Sequence, residues 1–543
     1  MAQWSMVSER VGGREAARPA THIRTRTRTR TRTRTEPPSS LLGTTAALLL
    51  LLGFPPAGAE QQGPLLPLDL PLRPDRAATG PVPAVRHPAP GAGSGLAPGA
   101  GAQAGAVPGL ATVPAPGAGP GSGEAAGSGG PPLVELPDGA GVLAAAAPAV
   151  VDLAVEPPEG MLLQPIEDAG GQGLAQVFGR LRRLQGGQEM RPVRILHYGD
   201  SHVAADLYTD DLRRLLQASF GDGGPGFVLL GAAPGGYRHG GIEQGASRGW
   251  RFAQPAPTDG GEAGQPAGLG GIWASTAVAG ERAWITTIAG TDGRAGVGRI
   301  ELFLLRQPGG GTVELRVDGQ SMRRVRTGLS EGAAPAAAFE LLELAEGYHR
   351  LELVAQGDGE VSVAGAVLER VGAGLVYDTL GLNGARASVM LSWESAVWTE
   401  QLRRRDPDLL ILAYGTNESG FFYLPLSRYR EQLDRVLRQV RRAAPRASCL
   451  LVAPVDRSLQ DLDGEWRTTT RILEIVAAQR QAASQHGCAF WNAYAAMGGR
   501  GAIDGWARQR PALALRDRVH LSRDGYRRLA RALHAALLEA YAR

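Results

Sequence analysis

The sequence predicts an α/β protein with a three-layer parallel β-sheet core and an inserted antiparallel β-sandwich. Short, almost continuously apolar runs alternate with amphipathic helical patterns in residues 161–234 and 373–543. This alternation is typical of a parallel sheet covered by helices on both faces. Residues 235–372 lack helical periodicity and contain short β-type runs between glycine-rich and Asp-Gly turns. These features predict that an antiparallel sandwich interrupts the α/β domain.

The elements of the α/β domain follow from their apolar patterns. A helical pattern at 172–186 precedes the first strand, 193–199. A helix at 204–220 follows that strand and ends at Gly221, which is a suitable C-cap. After the insertion, strands are predicted at 375–382, 408–415, 449–455 and 488–494, and helices at 429–443, 469–485 and 524–541.

The first 160 residues differ in composition from the rest. An Arg-Thr repeat at 24–34, an apolar stretch at 41–54 and small residues after it form the three parts of a secretory signal. We expect residues 1–59 to direct export, with cleavage after Ala59, and an uncleaved membrane anchor is the alternative. Residues 60–160 are mostly Gly, Ala and Pro. They predict a disordered tether, because they cannot bury enough apolar surface to offset the entropy of ordering.

Charge and cysteine content narrow the class of function. Residues 1–59 contain nine Arg and three Glu, so the net charge of +4 leaves −2 for the remainder. No nucleic-acid surface is therefore expected on the folded part. The two cysteines, Cys449 and Cys488, each begin an apolar run, and both a disulfide and a pair of buried thiols remain open. No histidine stands in ligand spacing to both, so neither a metal nor another cofactor is predicted.

Four short motifs, far apart in the chain, supply the residue types of one esterase site. They are YGDSH at 198–202, LNGA at 382–385, YGTNES at 414–419 and DRVH at 517–520. The first three lie at the ends of predicted strands, and the carboxyl ends of parallel strands meet at the same edge of a sheet. The fourth lies just before the last predicted helix, in a loop that is able to fold over that edge. We therefore expect all four motifs to meet.

These residues suit nucleophilic acyl transfer. The Ser201 hydroxyl needs a base to take its proton, and His520 supplies one. Asp517, three residues before the histidine, is placed to orient the imidazole. The tetrahedral intermediate carries an oxyanion, for which the backbone N–H groups of Ser201 and Gly384 and the side-chain amide of Asn417 are suitable donors.

Together the four motifs resemble those of the SGNH (GDSL-type) hydrolase family. The GDS sequence at 199–201 matches the family's first block, and GTN at 415–417 matches its third. Gly384 matches the glycine of the second block, with Gly381 as the alternative, and the motif at 517–520 matches the Asp-x-x-His block. The resemblance covers the α/β domain and implies a flavodoxin-like three-layer sheet.

Within that family, the chain is most similar to bacterial peptidoglycan O-acetylesterases. The similarity lies in the stretches LHYGDSHVAADLYT and YDTLGLNGA and in a carbohydrate-binding-like sandwich between them. It implies an O-acetylated polysaccharide, with cell-wall glycan as the leading candidate, as the partner. His202 stands where common lipase members have Leu, which weakens a lipase interpretation.

Residues that contact the substrate are less well defined by the sequence. His202 either lines the pocket or is structural, whereas His197 is expected to be a hydrogen-bonded core residue. Trp273 and Trp284 either stack on sugars or belong to the sandwich core. The histidines and Asp200 form no predicted metal site, because no further ligands group nearby.

We therefore predict an exported, metal-independent serine esterase that removes O-acetyl groups from a polysaccharide, with peptidoglycan as the leading substrate. Its predicted location is periplasmic or extracellular, without stable membrane insertion after signal cleavage. Three alternatives remain open: an acetyltransferase on the same fold, a lipase or thioesterase, and a non-catalytic glycan-binding protein.

Overall fold

The computed structural model describes residues 158–231, 237–253, 266–288, 296–393 and 396–543. The predicted export signal, residues 1–59, and the predicted tether as far as residue 157 lie outside the described residues. Within the described ranges, none of the helices combines the length and the apolar character needed to cross a membrane.

The secondary structure alternates between helices and strands at both ends of the chain and is almost purely β in the middle. The helices are α1 (Ala175–Gln185), α2 (Ser201–Ala204), α3 (Tyr208–Phe220), α4 (Ala396–Arg405), α5 (Thr416–Ser419), α6 (Leu426–Ala443), α7 (Thr470–Gln485), α8 (Ala493–Ala496), α9 (Ala502–Arg508) and α10 (Arg523–Ala542), with a 3₁₀ helix at Ala387–Trp393. The strands are β1 (Val193–Gly199), β2 (Gly226–Val228), β3 (Ile242–Ala246), β4 (Arg251–Ala253), β5 (Trp273–Thr276), β6 (Arg282–Thr287), β7 (Val297–Pro308), β8 (Thr312–Val317), β9 (Gln320–Arg326), β10 (Gly328–Leu329), β11 (Ala336–Gly347), β12 (Arg350–Ala355), β13 (Val361–Glu369), β14 (Leu375–Gly381), β15 (Leu409–Ala413), β16 (Ser448–Val452), β17 (Ser458–Gln460), β18 (Trp466–Thr468) and β19 (Ala489–Trp491).

The predicted parallel sheet is confirmed. Its strand order is β14-β1-β15-β16-β19, and each neighbouring pair is parallel. Leu196 and Tyr198 of β1 belong to an apolar cluster with residues of α4, α6 and α7. Val193 and Ile195 of the same strand belong to a second cluster, with residues of α1, α3 and α10. Because successive side chains of a strand point to opposite faces and both faces are covered, the strand sequences are almost continuously apolar.

Two helices, α2 and α3, replace the single helix predicted at 204–220. Asp206 lies between them with a φ of +46°, a left-handed conformation that interrupts a right-handed helix. Its buried carboxylate accepts hydrogen bonds from Thr209 Oγ1 at 2.6 Å and Arg213 Nη2 at 2.8 Å. Apolar periodicity does not reveal a break that polar contacts stabilise. The predicted end of α3 at Gly221 is confirmed.

Cys449 and Cys488 form a disulfide between neighbouring strands of the parallel sheet. Cys449 lies in β16, Cys488 immediately precedes β19, and their Cα atoms are 4.7 Å apart. Both residues are buried. Of the two possibilities that the sequence left open, the structure therefore contains the disulfide.

Two mostly antiparallel sheets are formed by strands from β2 to β13. One has the order β10-β7-β13-β5-β4, with β11 also on β7 and β2 also on β13, and the other has the order β3-β6-β12-β8-β9. A single apolar cluster contains residues of both sheets, among them Leu302, Leu315 and Leu353. The two sheets therefore share one core. The boundaries at 235 and 372, and the assignment of these sheets to an inserted sandwich domain, stay predictions.

A buried ion-pair network joins the antiparallel strands to the parallel sheet. Arg405 of α4 donates to both carboxylate oxygens of Asp378 in β14, at 2.5 and 3.0 Å, and also to Glu369 in β13. Arg194 of β1 donates to Glu369 at 2.9 and 3.1 Å, and Asp378 accepts the N–H of Phe227 in β2 at 2.9 Å. Burial raises the pKa of Glu369, but the two guanidinium groups outweigh this effect and lower the pKa to about 2. The network therefore holds β2 and β13 against β1 and β14.

Replacing Arg405 by Ala would leave Asp378 and Glu369 buried without their shared cation. Removing one partner of a buried ion pair typically costs about 3–5 kcal/mol. We therefore expect Arg405→Ala to lower the free energy of unfolding by about that amount, measured by urea unfolding. Arg403→Ala, at an exposed position of the same helix, is the matched control and should change it by less than about 0.5 kcal/mol. Equal stability of the two variants would contradict a structural role for the network.

Candidate active site

The register of the parallel sheet brings three of the predicted motifs to one edge. Gly199, at the end of β1, lies opposite Gly381 of β14 and opposite the last residue of β15. Ser201, Gly384 and Asn417 each follow one of these three strand ends within four residues. The turns that carry them therefore converge at the carboxyl edge of the sheet, where open α/β sheets bind ligands.

Two glycines allow the turn that carries Ser201 to approach the sheet closely. A Cβ at Gly199 would overlap the side chain of Val203, and a Cβ at Gly381 would overlap the backbone nitrogen of Ala204. Any larger residue at either position would push α2 away from the strand ends. Gly381 is therefore explained by packing against α2.

Ser201, His520 and Asp517 form a continuous chain of hydrogen bonds. Ser201 Oγ lies 2.9 Å from His520 Nε2, and His520 Nδ1 lies 2.6 Å from Asp517 Oδ2. Asp517 Oδ1 also accepts the backbone N–H groups of Val519 and His520, at 3.0 Å each. Burial raises the pKa of Asp517, but these hydrogen bonds outweigh this effect and lower the pKa to about 2. An ionised carboxylate, an imidazole and a hydroxyl thus follow one another in the order that an activated serine requires.

The loop that carries the imidazole and its carboxylate is held by the β17–β18 hairpin. Arg518, in that loop, has a φ of +54°, and its carbonyl accepts the N–H of Ser458 at 3.1 Å. Its guanidinium carbon lies 4.9 Å from the centre of the Trp466 ring, and its Nε donates to Asp504 at 3.0 Å. The hairpin and α9 therefore hold the loop together. No pattern in the sequence predicted this short hairpin.

Asn417 and the turn at Gly384 lie side by side. Asn417 Nδ2 donates to the carbonyl of Ala385 at 2.8 Å. A carboxamide has two N–H donors, so the second can bind a substrate oxygen. Gly384 is exposed with a φ of +71°, and no atom lies within 4 Å of the position of a Cβ. The two predicted donors are thus adjacent, and the Gly384 turn is open to a ligand.

A buried carboxyl group ties these two turns together. Glu418 accepts the N–H of Gly415 at 3.0 Å and the N–H of Ala387 at 2.7 Å. Burial raises the pKa of Glu418 to about 7. Asp200 caps α2, because its carboxylate accepts the N–H of His202 at 3.0 Å. Burial raises the pKa of Asp200 to about 6. Neither carboxyl was predicted to support the site, although the spacing from Gly415 to Glu418 is that of a capping box.

Comparisons with known proteins identify the family and the class of enzyme. A family model described as GDSL-like lipase/acylhydrolase matches residues 344–528. A solved structure of a peptidoglycan O-acetylesterase is similar over 69% of this chain and 99% of that chain, with 26% sequence identity and a TM-score of 0.58. This chain is an SGNH (GDSL-type) hydrolase. The predicted family and the predicted class of enzyme, a carboxylic ester hydrolase, are both confirmed.

Other similarities to this SGNH hydrolase are weaker. A family-two carbohydrate esterase from Clostridium thermocellum is 12% identical over 52% of this chain and 97% of that chain, with a TM-score of 0.23. One from Cellvibrio japonicus is 12% identical over 55% and 98%, with a TM-score of 0.22. No curated protein matches the hydrolase significantly.

His202 of the hydrolase packs directly against the imidazole of His520. The two ring centres are 5.4 Å apart, and His202 Nδ1 lies 2.9 Å from the hydroxyl of Tyr526. Burial first, and the charge of His520 second, lower the pKa of His202 to about 3, so this ring is neutral at physiological pH. His197 is a buried core residue whose Nε2 lies 3.0 Å from the Tyr208 hydroxyl, as predicted. In the described ranges, no three His, Cys, Asp or Glu side chains are grouped to hold a metal ion.

Of the two tryptophans considered as substrate contacts, one is buried and the other is half-buried. Trp273 is buried, and its indole N–H donates to the carbonyl of Pro266 at 2.9 Å. Trp284 is half-buried, with the guanidinium carbon of Arg350 at 4.2 Å from its ring centre. A role of these residues, and of His202, in substrate binding stays a prediction.

Arg457 is a further candidate that the sequence did not reveal. It follows β16, is half-buried, and its Nη1 donates to the carbonyl of Thr416 at 2.7 Å. Its guanidinium group packs against Gly420. Burial lowers its pKa, although the negative charges of Asp517 and Asp200 raise it. No recognisable motif contains this arginine, so only the structure places it beside the site.

Gly381→Ala and Gly384→Ala should have different effects. A Cβ at Gly381 meets the backbone of α2, so we expect this substitution to displace Ser201, to lower the free energy of unfolding by about 2–3 kcal/mol and to reduce activity. A Cβ at Gly384 meets open space, and only the left-handed backbone opposes it, at a cost of about 1–2 kcal/mol. Urea unfolding and aryl acetate hydrolysis measure both effects. A Gly384→Ala variant that is less stable than Gly381→Ala would contradict this assignment.

Proposed function

We propose that this hydrolase is an exported serine esterase that removes O-acetyl groups from peptidoglycan. The observation that carries the proposal is the hydrogen-bonded chain of Ser201, His520 and Asp517, with distances of 2.9 and 2.6 Å. The choice of an acetyl group and of a cell-wall polymer is supported by the similarity to a peptidoglycan O-acetylesterase.

In the first half of the proposed reaction, Ser201 Oγ attacks the acetyl carbonyl carbon. His520 Nε2 takes the hydroxyl proton, and the Asp517 carboxylate stabilises the imidazolium that forms. The carbonyl oxygen becomes an oxyanion, which accepts hydrogen bonds from the backbone N–H groups of Ser201 and Gly384 and from the Asn417 amide. Loss of one such donor typically costs about 3 kcal/mol of transition-state stabilisation.

The second half of the proposed reaction releases the sugar and then acetate. When the tetrahedral intermediate collapses, His520 Nε2 gives its proton to the departing sugar oxygen, and the acetyl group stays on Ser201 Oγ. A water molecule then gives a proton to His520 and attacks the acetyl carbonyl carbon. Collapse of the second intermediate returns the proton to Ser201 Oγ and releases acetate.

Export and polymer binding belong to the same proposal. We assign residues 1–59 to a signal that is removed after Ala59, with an uncleaved anchor as the alternative, and residues 60–160 to a tether. The Cys449–Cys488 disulfide supports a periplasmic or extracellular location, because disulfides persist in oxidising compartments. We assign residues 235–372 to an inserted, carbohydrate-binding-like sandwich that positions the glycan, which is supported by the shared core of the two antiparallel sheets.

Acetate release from O-acetylated peptidoglycan, compared with acetylated xylan, tests the proposal. We expect the purified protein to release acetate faster from peptidoglycan, and we expect Ser201→Ala to lose at least about 10⁴-fold in kcat, because a nucleophile has no substitute. Faster release from xylan would contradict the proposed substrate. An active Ser201→Ala variant would contradict the proposed mechanism, and transfer of acetyl to an added glycan in preference to water would identify an acetyltransferase.

A further inference from the structure

Three consecutive aromatic residues are exposed beside the candidate active site. Phe421, Phe422 and Tyr423 have 37%, 57% and 91% of their surface exposed. Burying a phenylalanine side chain typically stabilises a protein by about 1.5–3 kcal/mol, so folding alone does not explain a loop that leaves three rings in water. Contiguous exposed apolar surface of this kind marks a binding site.

The backbone of this aromatic loop, residues 420–423, is fixed to the helix that carries Asn417. The N–H of Gly420 donates to the carbonyl of Asn417 at 3.2 Å, and the N–H of Phe421 donates to the carbonyl of Glu418 at 3.1 Å. The N–H of Leu424 then donates to the carbonyl of Phe421 at 3.3 Å. Four residues span at most about 14 Å, so the aromatic loop begins within that distance of the predicted oxyanion donor.

Phe421 also contacts the turn that carries the other predicted donor. The guanidinium carbon of Arg386, two residues after Gly384, lies 4.4 Å from the centre of the Phe421 ring. The Phe421 and Tyr423 rings meet edge to face, with centres 6.4 Å apart. Phe421 and Tyr423 are therefore oriented by the protein before any ligand arrives, which lowers the entropic cost of binding.

Two guanidinium groups lie beside the aromatic loop. Arg386 packs on Phe421, and Arg457 packs on Gly420 while it donates to the carbonyl of Thr416. Guanidinium groups on two sides of an apolar surface complement a ligand that combines apolar faces with carboxylates. An acidic glycan meets both requirements.

We propose that the aromatic loop is the subsite for the sugar ring that carries the acetyl ester, and that this ring stacks on Phe422 and Tyr423. This inference rests on the proposed function. The ester oxygen belongs to both the acetyl group and the sugar, so the sugar must lie within a few ångströms of Ser201 during the reaction. A pyranose ring presents a face of C–H groups, which packs on the negative face of an aromatic ring. In contrast, Trp273 of β5 and Trp250, which immediately precedes β4, are buried.

The Phe422→Ala/Tyr423→Ala variant tests this subsite. We expect KM for O-acetylated peptidoglycan to rise at least tenfold, and any loss of kcat/KM on an aryl acetate, which carries no sugar, to be at least fivefold smaller. Phe422→Tyr/Tyr423→Phe keeps both rings and should restore wild-type KM. Met190→Ala/Val371→Ala is the matched control: both side chains are exposed, at 84% and 62%, and precede β1 and β14 at the opposite edge of the sheet. This control should change neither KM for peptidoglycan nor kcat/KM for the aryl acetate.

Two results would contradict the proposed sugar subsite. Equal losses on peptidoglycan and on aryl acetate would show that the loop only positions Asn417, and an unchanged KM for peptidoglycan would show that the rings do not bind it. Sedimentation with insoluble O-acetylated peptidoglycan in the Ser201→Ala background provides a test that needs no turnover. We expect the Phe422→Ala/Tyr423→Ala substitutions to weaken that binding at least tenfold. A wild-type protein that hydrolyses neither ester would refute the proposed function, while the sedimentation result would still decide whether the loop binds glycan.

Discussion

The site depends on the register of three neighbouring parallel strands. Because β1, β14 and β15 end level with one another, the turns after them occupy one edge of the sheet, and residues far apart in the chain meet there. Glycines at the ends of β1 and β14 leave room for α2 to pack on the sheet, which places Ser201 at that edge. The loop with His520, the turn with Gly384 and the aromatic loop are all arranged around this position.

Two carboxyl groups near Ser201 have different pKa values because their environments differ. Hydrogen bonds keep the pKa of Asp517 at about 2, so this group is ionised beside the imidazole. Burial raises the pKa of Glu418 to about 7, so this group is partly protonated near neutral pH behind the turns with the predicted oxyanion donors. Less negative charge on that side favours an oxyanion there. Environments that move the pKa values of nearby carboxyl groups apart are typical of acid–base sites.

The sequence predicted the parts of the structure that short patterns determine. Apolar runs located the parallel strands, and the four motifs contained residues that the fold brings into hydrogen-bonding contact, Ser201 with His520 and Asp517. Features that depend on contacts between distant segments were missed. The break at Asp206, the hairpin that holds Arg518, and the position of Arg457 against Thr416 each require partners that no local pattern specifies. The exposure of residues 421–423 was also missed, because an aromatic run in a sequence usually indicates core.

Labelling with a sulfonyl fluoride distinguishes an activated Ser201 from an ordinary hydroxyl, because this reagent reacts with serines that a neighbouring base activates. We expect one label per chain, on Ser201, identified by peptide mass spectrometry. We also expect His520→Ala to slow the labelling at least about 100-fold, since general-base assistance typically contributes 10²–10⁴-fold. A label on another residue, or a labelling rate that does not depend on His520, would show that His520 does not activate Ser201 as a nucleophile.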